Sequence, residues 1–471
     1  MPNIFNIYKK SIFLLAALIF CSSLFTHAQV TSSKSVGPPL AVPDTSKNNL
    51  LVPVTLKDTG KNGSTQSLTL KQCIDYALTH QPALNISLIN IDVTNTTNRI
   101  NLAGALPQVN AAGSLIRNIQ TASPSPASKP FTNTFVPGIT VSQTIFNPSL
   151  LYAYKSAPLL TKQAQQSVDS SKIFLVDIVS KSFYSLLLTL EQINILKGDT
   201  AEFGKSYRDA YHQYKGGIVD ETDYEEAEIT LNNTKAQLRQ ANENVIPQYA
   251  TLKQYMGYPP EQQFNVLFDT LEMMKSIHID TLQQLQYEKR IEYQLLNTGK
   301  DLQSQLVDYY RHSWLPTVSA NFDYNLAFEN NNLGSLFSNQ YPSSLIGVSV
   351  SIPIFTGFSR TNNLHKARLQ QQILDLDQTN LKLQIYTQYT TALANYKSNY
   401  YNLQILQKNV NLSRRVYFVV ELQYKQGIVP YLNVITAQSN LITSEINYIN
   451  ALFQVLSNKI DLEKAMGQIS Y

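Results

Sequence analysis

Residues 138–146 read GITVSQTIF, and residues 347–355 read GVSVSIPIF. In both stretches apolar side chains alternate with small or polar ones, which is the period-two pattern of a β-strand with one apolar face. A long segment with helical periodicity follows each of them. Because the chain changes from strand to helix twice, at an offset of 209 residues, the sequence indicates a duplicated unit.

Other short words recur at nearly the same offset. LPQV at 106–109 returns as LPTV at 315–318, again 209 residues on, and YKGGIVD at 214–220 returns as YKQGIVP at 424–430, 210 residues on. Chance similarity between short apolar words would not preserve both their order and their spacing. We therefore predict a tandem duplication with one inserted residue.

The N-terminus has the features of a secretory signal. Lys9 and Lys10 precede a short apolar run, and Ala28 offers a small residue for cleavage. The run is shorter than the roughly 20 residues of a membrane-spanning helix, and the bulky Phe20 disfavours lipidation of Cys21. After the signal, no further stretch is expected to span a membrane as a helix.

The predicted organisation has six parts. They are a signal peptide at 1–28, an extended leader at 29–67, a first structural repeat at 68–260, an inter-repeat equatorial connector at 261–280, a second structural repeat at 281–467 and a C-terminal tail at 468–471. In each repeat a helical segment, at about 68–104 and 281–313, precedes two strands. The strands are predicted at about 106–120, 134–146, 315–329 and 343–355.

The predicted strands are long enough to cross a bilayer, for which a tilted barrel strand needs about 9–11 residues. Four strands are too few to close a barrel, and unpaired strand edges are not tolerated in lipid. If these strands lie in a membrane, several chains must therefore pool them. A soluble sandwich with one wet face is the alternative reading of the same pattern.

The helical stretches after the strands are unusually long. About 67 residues without a strong break, at 149–215 and 359–426, correspond to about 100 Å of helix, and Pro158 is the position where the first is expected to kink. One heptad seam is predicted at Leu403, Leu406, Val410, Ser413, Tyr417, Val420 and Tyr424. The final helix carries two apolar stripes, which indicates a neighbour on each side and hence a wall that closes into a tube.

Composition excludes several function classes. The net charge of +4 is too small to favour nucleic acid as a partner. The six histidines are scattered, no phosphate-binding glycine loop is present, and Cys73 is the only cysteine after the signal. We therefore expect no enzyme activity, no cofactor and no metal site.

The words LPTVSANFDYN, SIPIFTGFSR and YKQGIVPYLNVITAQSNLITSE, together with the doubled plan, resemble the outer-membrane efflux protein (TolC) family. The resemblance implies a mostly α-helical fold with a transmembrane β-barrel portion. It implies a homotrimer in the outer membrane of a Gram-negative bacterium, with a 12-stranded barrel in the lipid continued by a periplasmic α-helical barrel. Such a protein is a passive exit duct for tripartite efflux or type I secretion, and it binds a periplasmic adaptor (membrane fusion) protein and an inner-membrane pump. The alternative is a periplasmic helical scaffold or adaptor without a pore.

The resemblance assigns the glycine turns to the periplasmic tips of helical hairpins. Their apolar residues would then be exposed and suit adaptor docking, with local packing as the alternative. The docking residues are Gly216, Gly217, Ile218, Val219, Gly427, Ile428 and Val429. Acids beside the first turn stabilise a helix start, with Asp220 as its cap, or form an acidic entrance to the tunnel. These acids are Asp220, Glu221, Asp223, Glu225 and Glu226.

The remaining candidate residues mark the change from strand to helix. Ser351 to Phe355 are expected to finish the last strand, with Ile352 and Ile354 towards lipid. The predicted barrel-to-tunnel joints are Phe146, Asn147, Pro148, Phe355, Thr356 and Gly357.

Overall fold

The computed structural model describes residues 66–119, 131–267 and 284–471 together with Met273, Ile277 and Ile279. The predicted signal peptide, Cys21, the leader up to residue 65 and loop residues 121–130 lie outside the described residues. The described chain divides into a β unit, residues 103–146 and 317–351, and a helical unit made of the other residues.

Seven helices and six strands follow one another in the described chain. The helices are α1 (Leu70–His80), α2 (Pro82–Ala103), α3 (Pro148–Lys215), α4 (Glu221–Met256), α5 (Ile291–Arg311), α6 (Ser359–Lys425) and α7 (Tyr431–Met466). The strands are β1 (Gln66–Leu68), β2 (Gln108–Arg117), β3 (Asn133–Phe146), β4 (Phe264–Val266), β5 (Thr317–Asn330) and β6 (Gln340–Ser351). Short 3₁₀ turns cover Tyr287–Lys289 and Leu333–Ser338.

The first helical segment differs from its prediction. It is interrupted at Gln81, which has an extended backbone because Pro82 follows and disfavours the helical conformation before it. The residues just before it also differ from the prediction. Gln66 and Ser67, predicted as the end of the extended leader, lie in β1, which pairs in parallel with β4, a strand within the predicted connector. The sequence missed this pairing because a three-residue strand has no detectable periodicity.

The β unit is one antiparallel sheet with the strand order β2-β3-β5-β6. Opposite residues in antiparallel strands point to the same face. Thr140 faces Asn110 on one side and Asp323 on the other, whereas Val141 faces Val109 and Phe322. The register therefore places small and polar side chains on one face and apolar ones on the other, which confirms the period-two prediction.

The last strand ends earlier than predicted. β6 stops at Ser351, and residues 352–356 have no regular structure. The ladder ends at the pair of Thr317 and Ser351, because β5 begins at Thr317 and Pro353 lacks the backbone donor that would extend the pairing. The expectation that Ile352 to Phe355 complete a lipid-facing strand is wrong.

In the helical unit, α3 packs along α4 and α6 along α7, and α3 also contacts α5 and α7. The predicted seam of α6 is buried or half-buried throughout. The same holds for the two predicted stripes of α7, which are Ile435, Ile442, Ile449 and Leu456, and Leu441, Tyr448, Val455 and Leu462. α3 runs as one helix through Pro158. It also contains a stretch of mean hydropathy 1.7, apolar enough to cross a membrane, which sequence reasoning overlooked. Since 61% of that stretch is buried inside the chain, it belongs to a core helix.

The two repeats end in matching glycine caps. Gly257 after α4 and Gly467 after α7 have φ values of 67° and 69°. A Cβ at these positions would lie 2.8 Å from the carbonyl oxygen of His80 and 2.7 Å from that of Lys289. Each glycine therefore allows close backbone contact. The end of α4 touches the backbone just before α2, and the end of α7 touches the backbone just before α5.

A polar side chain completes each of these caps. Gln81 Nε2 donates to the carbonyl of Gln254 at 3.3 Å. Its counterpart Arg290, which is buried, donates from Nη1 to the carbonyls of Lys464 and Ala465 at 3.2 and 3.1 Å. Each side chain thus adds a hydrogen bond to carbonyls of the last helical turn, where backbone acceptors lack partners within the helix.

We predict that Gly467→Ala is more destabilising than Gly427→Ala. Both changes put alanine into left-handed backbone, at a cost of about 1–2 kcal/mol. Only Gly467 adds a backbone clash, because nothing lies within 4 Å of a Cβ at Gly427. Thermal unfolding followed by circular dichroism in detergent should show the larger drop in Tm for Gly467→Ala; equal drops would contradict the close approach.

Candidate functional site: hairpin tips and strand-to-helix joints

The two hairpin tips have the same backbone geometry. Gly217 and Gly427 have φ values of 69° and 73°. Behind each glycine, a backbone N–H reaches back over the helix end: Ile218 N donates to Gln213 O, and Ile428 N donates to Gln423 O, both at 2.9 Å. This pattern terminates a helix with glycine in left-handed backbone, so the turns occur where the sequence predicted them.

The apolar residues of the tips are divided between surface and interior. Ile218 is 75% exposed and Ile428 is 69% exposed. Val219 and Val429 are half-buried. Each turn thus presents one isoleucine to solvent, whereas the following valine is half-buried. Only the isoleucines have the exposure that docking requires.

Tyrosines join the two tips to each other. Tyr431 and Val434 of α7 are buried against Ala210 of α3 and Ala227 of α4. The Tyr424 hydroxyl donates to Gln213 Oε1 at 2.7 Å, and burial raises the pKa of Tyr431 to about 12. The half-buried members of this cluster include Tyr207, Tyr224, Tyr417 and Tyr424. The heptad pattern identified only Tyr417 and Tyr424, because α6 ends at Lys425 and the turn at Gly427 interrupts the helical period before Tyr431.

The acidic residues beside the first tip surround the start of α4. Asp220 is the residue before the helix, but its side chain makes no capping hydrogen bond, so the expected cap is wrong. Glu221 instead accepts from the Tyr224 hydroxyl at 3.0 Å. Asp223 is half-buried, and its burial, together with nearby Asp220, raises the pKa of its carboxyl.

The other acids of this group stay in solvent. Glu225 and Glu226 are exposed, and no Lys or Arg of the described chain forms an ion pair with any of the five acids. Pro430 and Tyr431 occupy the corresponding positions of the second tip. The negative charge therefore belongs to one of the two tips only.

The first strand-to-helix joint is short. β3 ends at Phe146, and α3 begins at Pro148 with a proline in its first turn, where the missing N–H is harmless. Asn147 lies between them, and its Oδ1 accepts from the backbone N–H and the hydroxyl of Ser149 at 2.9 and 2.8 Å. Asn147 is thus the helix cap of this joint.

The second joint is longer and uses different chemistry. Gly357 and Phe358 both have positive φ, 58° and 63°, just before α6. Arg360 donates from Nη2 to the Ile354 carbonyl and from Nε to Thr356 Oγ1, both at 3.2 Å. The ring of Phe355 meets that of Phe358 edge-on at 5.6 Å. The expectation of one joint made twice is therefore wrong, because Pro353 ends β6 early and seven residues must then be folded back.

The duplicated helices, the paired strands and the glycine tips can be compared with known proteins. The sequence profile described as "Outer membrane efflux protein" matches residues 73–258 and 300–468, one range in each repeat and together more than half of the chain. The chain belongs to the outer membrane efflux protein family. It is accordingly an outer-membrane exit duct, a transport conduit.

Individual members of the efflux family are distant in sequence. The outer membrane protein TolC of Vibrio cholerae is 18% identical over 78% of this chain and 83% of its own. The probable efflux pump outer membrane protein TtgC of Pseudomonas putida is 21% identical over 84% of this chain and 82% of its own. Among solved structures, VceC of Vibrio cholerae has a TM-score of 0.69 at 15% identity and covers 84% of this chain and 96% of its own. This last likeness concerns the fold alone.

One half-buried acid of this efflux protein lies away from the tips. Asp199 of α3 has a carboxyl oxygen, Oδ2, that is buried without a hydrogen-bond partner among the described residues. Burial, followed by the nearby Glu445 of α7, raises the pKa of Asp199 to about 7. Glu445 itself accepts from Arg414 of α6 at 2.8 Å. Sequence reasoning missed Asp199 because its environment comes from the other repeat.

We predict that Asp199→Asn stabilises the protein at pH 8 and has little effect at pH 4. The folded state holds the Asp199 proton more tightly than the unfolded state does, so this group lowers stability as pH rises from about 4 to about 7. The Tm difference between variant and wild type should therefore grow over that window. Asp209→Asn, an exposed acid of the same helix, is the matched control. A difference that stays constant from pH 4 to pH 8 would refute this assignment.

Proposed function

We propose that three copies of this chain close into a duct. The two edge strands of the sheet correspond, through the duplication, to the two strands that already pair with each other inside the chain. β3 of the first repeat pairs with β5 of the second. At the offset of 209 residues, β6 corresponds to β3 and β2 corresponds to β5. β6 and β2 are the two free edges of the sheet. Pairing β6 of one copy with β2 of the next repeats the internal contact.

The helices support the same arrangement. α3 covers α5 and α7, but no comparable packing joins α6 to its expected counterparts, α2 and α4, within the described chain. Thr298 of α5 is 1% exposed, while Ile89, its counterpart on α2, is 58% exposed. Leu456 of α7 is 1% exposed, while Ile246 on α4 is 63% exposed. These isoleucines would be covered by α6 of a second copy.

Three copies contribute twelve strands, enough for a barrel wide enough to hold water. The apolar face of the sheet would lie in the lipid and the polar face would line the lumen. Large apolar side chains are exposed on the former face, among them Val109, Leu115, Ile346, Val348 and Val350. A periplasmic scaffold without a pore would leave this face in water, which disfavours that alternative.

As a duct, the protein contributes a passage and docking surfaces, and the driving force comes from elsewhere. Relatives named as a probable efflux pump outer membrane protein and as a cation efflux system protein support a periplasmic adaptor and an inner-membrane pump as partners. We assign the exposed Ile218 and Ile428 to adaptor docking. We assign the acids at 220–226, repeated three times around the mouth, to the entrance, where their field concentrates cations.

We predict that Ser114→Cys with Ser349→Cys links neighbouring chains through a disulfide. Ser349 corresponds to Thr140 and Ser114 to Asp323, and these two residues are paired opposite each other within the chain, with Thr140 donating to Asp323 at 2.7 Å. Oxidation should therefore give dimers and trimers on non-reducing gels. Cys73 will not interfere, since it is buried and its thiol pKa is raised to about 12.

The matched control for this crosslink is Asn110→Cys with Ser349→Cys. Asn110 lies on the same strand face, but four residues out of register, about 13 Å along the strand. It should remain monomeric on the gel. Efficient crosslinking of the control, or none in the Ser114 pair, would contradict the proposed strand pairing.

We predict that the two tip functions separate by mutation. Ile218→Ser with Ile428→Ser should weaken adaptor capture roughly tenfold, since buried apolar anchors dominate interfaces, and should leave single-channel conductance unchanged. Asp223→Asn with Glu225→Gln should lower the single-channel conductance and weaken the block by Mg²⁺, because the variant removes negative charge from the mouth. Adaptor capture should be preserved, because the docking side chains stay in place.

The two tip variants serve as each other's controls. Capture of the adaptor on immobilised protein and recordings in planar bilayers supply the two readouts. Unaltered adaptor capture by the first variant would contradict the proposal that the adaptor docks at the isoleucines. Wild-type conductance and wild-type block by Mg²⁺ in the second variant would contradict the proposed acidic entrance.

A further inference from the structure

The polar face of the sheet carries an uneven set of charges. It holds two carboxylates in the described strands, Asp323 and Glu329, and no Lys, Arg or His. Arg117, the only basic residue of these strands, is paired with Asn133. Because Asn133 is an odd number of residues from Thr140 along β3, Arg117 lies on the other face of the sheet. A lumen lined by this face is therefore acidic.

Asp323 has a special position on this face. It is the seventh of the fourteen residues of β5, so it lies at mid-strand, whereas Glu329 is next to the last residue of that strand. The residues aligned with Asp323 across the sheet are Asn110, Thr140 and Leu345. None of them carries a charge that could neutralise it.

The carboxylate is also held in one place. Thr140 Oγ1 donates to Asp323 Oδ1 at 2.7 Å, and Asn321 Nδ2 donates to Oδ2 at 2.8 Å. Each oxygen thus accepts a hydrogen bond from a neighbour on the same polar face. Fixed donors to both oxygens favour the ionised form and keep the charge at the wall.

We infer that Asp323 is a selectivity determinant of the barrel lumen, where three copies form a ring of carboxylates that favours cations and cationic substrates over anions. The inference rests on the proposed trimeric duct. By threefold symmetry the three charges lie at one level, with no fixed positive charge on the described strand face beside them. This ring is separate from the acids at 220–226, which belong to the hairpin tip of the helical unit.

The expected size of the effect follows from Coulomb attraction across a water-filled lumen. Three charges about 10 Å from the axis should raise the cation-to-anion permeability ratio roughly two- to fourfold at 0.1 M salt, and less at 1 M where screening is strong. This dependence on salt distinguishes a field effect from a change in pore width, which would act alike on both ions.

The test is the reversal potential of purified full-length protein in planar bilayers under a KCl gradient. Asp323→Asn keeps the size of the side chain and removes its charge, and Asp323→Glu restores the charge. Glu329→Gln removes the other charge of the same face as the matched control. Asp223→Asn with Glu225→Gln measures the contribution of the tip separately.

The inference expects a two- to fourfold lower permeability ratio for Asp323→Asn at 0.1 M KCl, a near wild-type ratio for Asp323→Glu and a smaller change for Glu329→Gln. Channels of Asp323→Asn with the wild-type ratio, or an equal loss in Glu329→Gln, would overturn it while leaving the duct intact. Heat-resistant trimers on gels check the assembly of each variant. Wild-type protein that forms neither trimers nor channels would instead overturn the proposed duct itself.

Discussion

The proposed duct depends on one constraint: the free edges of the four-stranded sheet need partners if the sheet lies in lipid. Backbone N–H and C=O groups in lipid have no water to bind, so an open edge is not stable there. β2 and β6 are such edges in a single chain. In the proposed duct the duplication supplies these partners, since the pairing of β3 with β5 shows which strands fit. The same logic covers the apolar faces of α2 and α4, which are exposed where their second-repeat counterparts are buried.

Equivalent positions do not have equivalent chemistry. Between α3 and α7, the buried Asp177 pairs with Lys181 and Lys464, both at 2.6 Å, and Lys181 also pairs with Asp461 at 2.5 Å. At the offset of 210, the corresponding residues of the proposed contact between chains are neutral: Thr387, Thr391, Gln254 and Thr251. The contact inside the chain is thus ionic, and its proposed counterpart between chains is neutral at these four positions. The tips show a similar division, with acids in one repeat and tyrosine in the other.

Much of the architecture was predictable because it repeats. The offset of about 210 residues, the period-two strands, the heptad seam of α6 and the glycine tips were all visible as patterns in the chain. Predictions failed where one local residue overrides a pattern. Pro353 ends β6 four residues before the expected end, Pro82 divides the first helical segment, and Asp220 precedes α4 without capping it. The β1–β4 pair was missed because strands of three residues leave no periodic signal.

By itself, the sequence determined that the chain is exported and duplicated, that it alternates strands with long helices, and that it belongs with outer-membrane efflux proteins. These are properties of periodicity and order, which a linear chain records directly. Only the tertiary structure decided which side chains share an environment. Asp199 meets Glu445, Tyr431 meets the first tip, and Asp323 is held by Thr140. Each of these contacts joins the two repeats, so its electrostatics depend on residues more than 180 positions away, which no local pattern reveals.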